Sequence, residues 1–303
     1  MNQKENSVFV SSHPGTPPVG GVGRELVTSL LLDLLPKKTY TRLAELGGKV
    51  PIPRVFRKAA YGLFSRLYAI NKGEIGGELS DYECFDDFFT RELPSGCRDL
   101  KAHESLFISP SDSQVVSVGK VSQGAMLQTK GIFYSAEALL GSKKLADEFE
   151  GGDVLSFYLR PRDYHRVHFP VSGVVDEVCY IPGCRYPVIP AAVNSVKGLY
   201  RKNERVVTVQ SNSLLGRVTT VMVAALGVGN VSLSWGTKGP VYTGENVDFS
   251  GLENVEVDAG DELGIFHLGS SVIVLFQQDK IKLKGVDVGA TVRIGDVLGE
   301  RKV

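Results

Sequence analysis

Apolar residues change their spacing about a third of the way along the chain. Before Leu106 they recur every three or four positions, the period of a helix lying on a surface. Over Arg24–Leu35 this places Leu26, Val27, Leu30, Leu31, Leu34 and Leu35 on one face, and Pro36 ends the helix. Over Arg54–Ile70 the stripe is Val55, Phe56, Ala59, Ala60, Leu63, Phe64, Leu67 and Tyr68, with Arg54, Arg57, Lys58 and Arg66 off it. A third helix is predicted at Tyr82–Arg91. Beyond Leu106, short runs of Val, Ile and aromatics alternate with Gly, Pro and Asp, which predicts strands. They are Val115–Val121, Val154–Leu159, Val174–Ile181, Arg205–Val209, Val218–Ala225, Val231–Trp235 and Val272–Phe276. Short helical pieces at Tyr134–Leu140 and Lys144–Phe149 interrupt them. The predicted class is α+β: N-terminal amphipathic helices followed by a β-rich core.

Composition adds boundaries to this picture. The 303 residues, 43% of them hydrophobic, suffice for one large packed domain with an extension. Residues 1–23, rich in Ser, Pro and Gly, read as a disordered tail. Residues 24–105 form the helical region and 106–303 the β-rich core. Formal net charge is zero, which gives no sign of a nucleic-acid partner. The charge is uneven, however: Arg24–Lys72 holds ten basic residues against three acidic ones. The two N-terminal helices therefore have two readings, as elements packed on the core or as a basic, apolar-faced element for an anionic membrane surface. No apolar run is long enough for a transmembrane helix, and the N-terminus lacks the pattern of a secretory signal. The four cysteines have no C-x-x-C spacing and read as reduced thiols.

The stretch F-H-L-G-S-S-V-I-V-L-F changes the picture most. It sets a Gly269-Ser270 bond between two apolar β-forming segments, Leu263–Leu268 and Val272–Phe276. Glycine tolerates backbone strain, and the serine puts a hydroxyl within reach of the preceding carbonyl. That pairing suits an N→O acyl shift, after which β-elimination splits the chain and leaves a pyruvoyl group where Ser270 stood. Such a ketone can condense with an amine and act as an electron sink. The bland alternative is a tight turn between strands.

Serine needs a base. Of five histidines, His13 lies in the tail, His103 in a polar connection and His267 beside the Gly-Ser bond; only His165 and His168 share a motif. A carboxylate usually orients such a base, and Asp112, in a Pro-Ser-Asp turn, is either that residue or an ordinary Asx-turn. His165 and His168 with Asp163 are also a conceivable metal set, but residues three apart on a strand point to opposite faces, so no metal is expected.

Several segments together resemble one family. L-R-P-R-D-Y-H-R-V-H-F-P (Leu159–Pro170) is similar to the histidine segment of phosphatidylserine decarboxylases. I-S-P-S-D-S (Ile108–Ser113) resembles their aspartate segment, F-D-D-F-F-T-R-E-L (Phe85–Leu93) their Phe-Phe-x-Arg-x-Leu signature, and N-E-R-V (Asn203–Val206) also matches. The likeness runs in family order from about Leu35 to the C-terminus. Ser113 stands where the family has Gly, and Ser271 where it has Thr. The resemblance implies a precursor that cuts itself between Gly269 and Ser270 into chains 1–269 and 270–303. It implies Asp112, His168 and Ser270 as the cleavage triad, His165 as the residue serving decarboxylation, and a covalent pyruvoyl cofactor derived from Ser270. The implied substrate is phosphatidylserine and the implied place a bacterial cytoplasmic or mitochondrial inner membrane, as a peripheral protein; a homodimer stays open.

Two rivals remain at this point. Val257–Gly264 and Gly289–Gly299 carry glycine turns like those of biotinyl- and lipoyl-carrier barrel-sandwich domains, so a non-catalytic carrier-like module is one. A self-processing decarboxylase for another amino-acid derivative is the other.

Overall fold

The computed structural model describes residues 43, 46–100, 104–129, 131–226, 231–236, 241–243, 247–249, 251–267 and 269–303. The tail 1–23, the helix expected at Arg24–Leu35 and His103 lie outside the described residues.

The β-rich core has the expected character. Its main element is an eight-stranded antiparallel sheet. In spatial order the strands are Val255–Val257, Gly173–Ile181, Arg205–Asn212, Gly216–Ala224, Ser270–Phe276, Asp153–Leu159, Ser113–Lys120 and Thr291–Val292. Ser270–Phe276 (S-S-V-I-V-L-F) is interior and buried at every position, which fits its unbroken apolar run, because a strand covered on both faces has no reason to alternate. A four-stranded antiparallel sheet, ordered Val241–Tyr242, Val231–Leu233, Glu262–Phe266 and Arg166–His168, packs against it. The approach is close at Gly264, where an added Cβ would stand 3.3 Å from Met222 Sδ. The other face is covered by the short helices Ala136–Leu140 and Leu199–Lys202; the buried Arg205 donates through Nε to Leu139 O at 2.6 Å. A three-stranded sheet, Leu106–Ile108, Val297–Arg301 and Ile281–Leu283, closes one end.

Local chemistry moves some boundaries. The segment Tyr134–Leu140 is not all helix: Ile132–Ser135 is a strand, and Ser135 caps the helix Ala136–Leu140 by accepting the Ala138 N–H at 3.1 Å. Ser142 likewise starts Lys143–Asp147. The helix expected at Tyr82–Arg91 shrinks to α2, Phe85–Phe89, following α1, Arg54–Tyr68. Asp87 accepts the N–H groups of Glu83 and Cys84, and Thr90 closes the far end on Asp86 O at 2.8 Å.

α1 carries the expected stripe but buries little of it: Phe64 packs on Phe85 and Phe88 of α2, with centroids 4.9 and 6.1 Å away. Its buried residues are Tyr61 and Ser65, and Tyr61 stacks on Phe88 of α2 with centroids 4.8 Å apart. Val55, Phe56, Leu63 and Leu67 are 82%, 62%, 59% and 71% exposed. Core packing therefore does not explain the stripe. Among the described residues no helix is long and apolar enough to cross a membrane.

Candidate active site

Ser270 opens the buried strand. It pairs with Leu159 on one side and Ala224 on the other, is fully buried, and its Oγ has no hydrogen-bond partner. A buried hydroxyl left unpaired costs about 1–3 kcal/mol, so this group contributes no hydrogen bond to the fold, a state it shares with Ser271, Thr219 and Thr220. Ser271 points to the opposite face, toward the Tyr200 phenol. Gly269 shows neither a positive φ nor crowding, since nothing lies within 4 Å of where its Cβ would stand. Neither a left-handed backbone nor crowding therefore requires glycine at this position in the uncut chain.

The segment R-P-R-D-Y-H-R-V-H begins with a tight turn. Asp163 accepts the Arg160 backbone N–H at 2.8 Å and grips its guanidinium through both carboxylate oxygens. The turn presents Arg160 O to His165, whose Nε2–H donates to it at 3.1 Å. The same residue's backbone carbonyl takes the Phe266 N–H at 3.0 Å. His165 is thus tied next to Leu159, the partner of Ser270, and next to Phe266, just ahead of the Gly-Ser bond. With Nε2 protonated, Nδ1 keeps a bare lone pair, buried and without a partner. Burial, helped by the nearby Arg91 cation and opposed by the Arg160 carbonyl, pushes this ring down to about 3. It is neutral at any working pH.

His168 is held the other way round. Its Nδ1–H donates to Gly260 O at 2.7 Å, which leaves Nε2 free to accept, and the Tyr164 hydroxyl stands 3.4 Å from it. Gly260 itself has φ +96°, with an added Cβ 3.0 Å from Leu100 Cβ, so only glycine turns the carbonyl this way without strain. Burial lowers the His168 pKa.

Asp112 reaches the same neighbourhood, since the His168 N–H bonds to Pro110 O at 2.8 Å. Its carboxylate has other partners, however: Oδ2 pairs with Arg98 at 2.5 Å and Oδ1 accepts the Ile294 N–H at 2.8 Å. Burial pushes this carboxyl above its ordinary range, with Arg98 and Ile294 pulling the other way. Arg98 also bonds Glu74 at 3.0 Å. Direct hydrogen bonds thus do not join Asp112 to His168 or His168 to Ser270; what the fold brings together is the three segments. The Tyr164 phenol is raised mainly by burial, with Arg166 pulling the other way and the charges of Glu262, Asp112 and Glu92 adding to the rise.

Sequence reasoning missed Arg98, which sits in a loop with no periodicity, and Phe89 and Arg91, which were noted only as part of a signature. Arg91 is 2% exposed, and its Nε and Nη1 lack acceptors.

The family model for phosphatidylserine decarboxylase matches residues 85–300. The chain belongs to that family. It is 39% identical over 282 residues to the phosphatidylserine decarboxylase proenzyme of Anaeromyxobacter sp. (strain K), spanning 88% of this chain and 96% of that one. It is 38% identical over 279 residues to the proenzyme of Yersinia enterocolitica, spanning 88% and 94%. The matched span holds every residue of the site, from α2 to the strand that Ser270 opens.

Proposed function

We propose that this chain is a precursor that cuts itself between Gly269 and Ser270, and that the resulting two-chain enzyme decarboxylates phosphatidylserine to phosphatidylethanolamine. The observation that carries this is the buried, unpartnered Ser270 hydroxyl directly after Gly269, near a neutral His165 whose ring is held by Arg160 O and whose backbone carbonyl takes the Phe266 N–H.

In the first step Ser270 Oγ bonds to the Gly269 carbonyl carbon, the C–N bond breaks, and the hydroxyl proton passes to the freed nitrogen. In the second, the Ser270 Cα proton leaves and the Cβ–Oγ bond breaks. Oγ stays with Gly269 as its carboxylate, and residue 270 becomes dehydroalanine. Water then releases ammonia and leaves a pyruvoyl group. His168 Nε2 is the base in this reading. Asp112 supports it by holding the turn whose Pro110 carbonyl takes the His168 N–H rather than by direct contact, because Arg98 and Ile294 already occupy its carboxylate.

The pyruvoyl group supplies the electron sink for loss of carbon dioxide. The site suits it: residue 270 is fully buried and lies between the paired strands that carry Leu159 and Ala224. His165 offers its bare Nδ1 lone pair to accept a hydrogen bond or a proton from the substrate, and becomes cationic for as long as it holds that proton. Residues 24–105 form the membrane-associating region and 106–303 the catalytic core, whose Gly-rich turns are the part that resembles barrel-sandwich carriers. The exposed apolar residues of α1, beside Lys58 and Arg66, support a peripheral seat on an anionic membrane.

Intact mass spectrometry of the purified protein, run beside an assay on phosphatidylserine, tests the proposal. Two chains are expected, 1–269 and 270–303, the second beginning with a pyruvoyl group. A single uncut mass in active protein would overturn it, and turnover on a soluble amino-acid derivative but not on the lipid would redirect it to another substrate.

A further inference from the structure

One Ser-His-Asp set in this protein is joined by hydrogen bonds throughout, and it is not the expected one. Asp86 of α2 approaches Nδ1 of His267 with Oδ2 at 2.8 Å and Oδ1 at 3.1 Å. Nε2 of the same ring lies 3.1 Å from Ser232 Oγ. With Nδ1–H donated to the carboxylate, Nε2 accepts the Ser232 hydroxyl, so the ring is fixed at both nitrogens. Ser232 is buried in the middle of a sheet, opposite Ile265 and Tyr242. The arrangement is a clamp on His267 and not a hydrolytic centre.

The clamp sits at a telling place. Only Leu268 and Gly269 separate His267 from Ser270. After the bond, Ser270 is locked by its pairing with Leu159 and Ala224. Before it, nothing lies within 4 Å of where a Gly269 Cβ would stand, so crowding at its Cα does not fix this residue. Among the described residues, the last side chain anchored by hydrogen bonds ahead of the bond is that of His267. The anchor comes from α2, which also supplies Phe89, stacked on His165. One five-residue helix therefore holds both histidines that flank the scissile segment.

We propose that His267 is a positioning residue for self-cleavage: clamped by Asp86 and Ser232, it fixes the chain ahead of Gly269 and so presents the Gly269 carbonyl to the Ser270 hydroxyl. This rests on the self-cleavage proposal. The clamp acts on the first step, in which Ser270 Oγ bonds to the Gly269 carbon. The later elimination breaks bonds within residue 270, which the sheet already holds, and does not depend on His267.

The test follows the rate at which freshly made full-length chain splits, with and without hydroxylamine, which cleaves esters but not amides. His267→Ala and Asp86→Ala are expected to split at least tenfold more slowly than wild type, and their uncut chain should resist hydroxylamine because the block precedes the ester. Asp86→Asn should split at close to the wild-type rate, since the amide oxygen still accepts the Nδ1–H. If wild type itself does not split, the self-cleavage proposal fails. If wild type and His267→Ala split at equal rates, only this inference fails. Uncut His267→Ala chain that hydroxylamine divides after Gly269 would also overturn it, by moving the role to the elimination. Should His267→Ala not fold, as judged by its thermal midpoint, His267→Asn and Asp86→Asn decide. Each keeps a hydrogen bond across the pair, and splitting by both supports the clamp. Loss of splitting in folded Asp86→Asn overturns it.

Discussion

The ring of Phe89 stacks on that of His165, with centroids 3.9 Å apart and planes 25° from parallel. Phe89 belongs to α2, outside both large sheets, yet it completes the burial of a histidine that the strands only tether. That burial is the main cause of the low His165 pKa, and with it the neutrality of the Nδ1 lone pair. A residue from the N-terminal helical region thus adds to the burial that keeps a core residue neutral.

Replacing Phe89 should therefore affect stability and turnover together. Phe89→Ala removes a fully packed ring and is expected to cost about 3–5 kcal/mol, with lipid decarboxylation falling further than chain splitting. Phe89→Leu fills most of the space and should lose much less stability while still admitting water to His165. Urea unfolding and turnover on phosphatidylserine in detergent micelles check both. Equal turnover in wild type and Phe89→Leu would show that the ring serves packing alone.

The His165 pKa also sets a sign for stability against pH. In the unfolded chain the ring takes up a proton below about pH 6.5, whereas in the fold it does so only near 3. Its stabilising contribution is present above the unfolded value and is lost as pH falls from about 6.5 toward 3, by at most about 1.4 kcal/mol per pH unit. His168, also lowered by burial, acts in the same direction. His165→Phe keeps the stack on Phe89 and removes the titration. Its stability should fall less steeply over that window in denaturant titrations at stepped pH. A slope as steep as that of wild type would assign the acid sensitivity to other groups.

The three segments around Ser270 should separate by phenotype on denaturing gels and in the lipid assay. Ser270→Ala, His168→Ala and Asp112→Ala are expected to remain one chain. His165→Ala should split at least in part and decarboxylate poorly, and Ser271→Ala, on the opposite face of the sheet, should split. Arg98→Met leaves Asp112 buried with only the Ile294 N–H, which favours the protonated carboxyl; it should split slowly despite touching neither His168 nor Ser270. Splitting of His168→Ala at the wild-type rate would reassign the base, with His165 next in line by position.

How much of this was legible in the sequence follows from where each signal resides. The strand runs could be read because covered strands are rich in β-branched residues, and Ser270–Phe276 is covered on both faces. The Gly-Ser bond and the histidine segment announced themselves by residue type. The length of α2 did not, because Asp87 and Thr90 end it through hydrogen bonds that leave no periodic trace. Nor did the partners of Asp112 and His267. Arg98 lies in an irregular loop, and Asp86 is 181 residues from His267 in sequence, so only the fold brings them together. The apolar stripe of α1 was visible, but whether it faced the core or solvent was not, since periodicity reports a face and not what covers it.

That exposed stripe carries the last expectation. Phosphatidylserine seldom leaves a bilayer, so the proposed function calls for a seat on a membrane surface. α1 offers Val55, Phe56, Leu63 and Leu67 to solvent, beside Lys58 and Arg66, in a region that is basic overall. Each basic residue near an anionic surface contributes on the order of 1 kcal/mol, screened by salt, whereas inserted apolar side chains are not screened. Binding to vesicles containing phosphatidylserine should weaken at high salt yet persist. Replacing Val55, Phe56, Leu63 and Leu67 together with Ser should abolish the salt-resistant part. These positions are already exposed, so the thermal midpoint should barely move and chain splitting should be unaffected. Co-sedimentation of the variant and wild type at low and high salt measures this, and equal sedimentation of the two at high salt would show that α1 is not the inserting element.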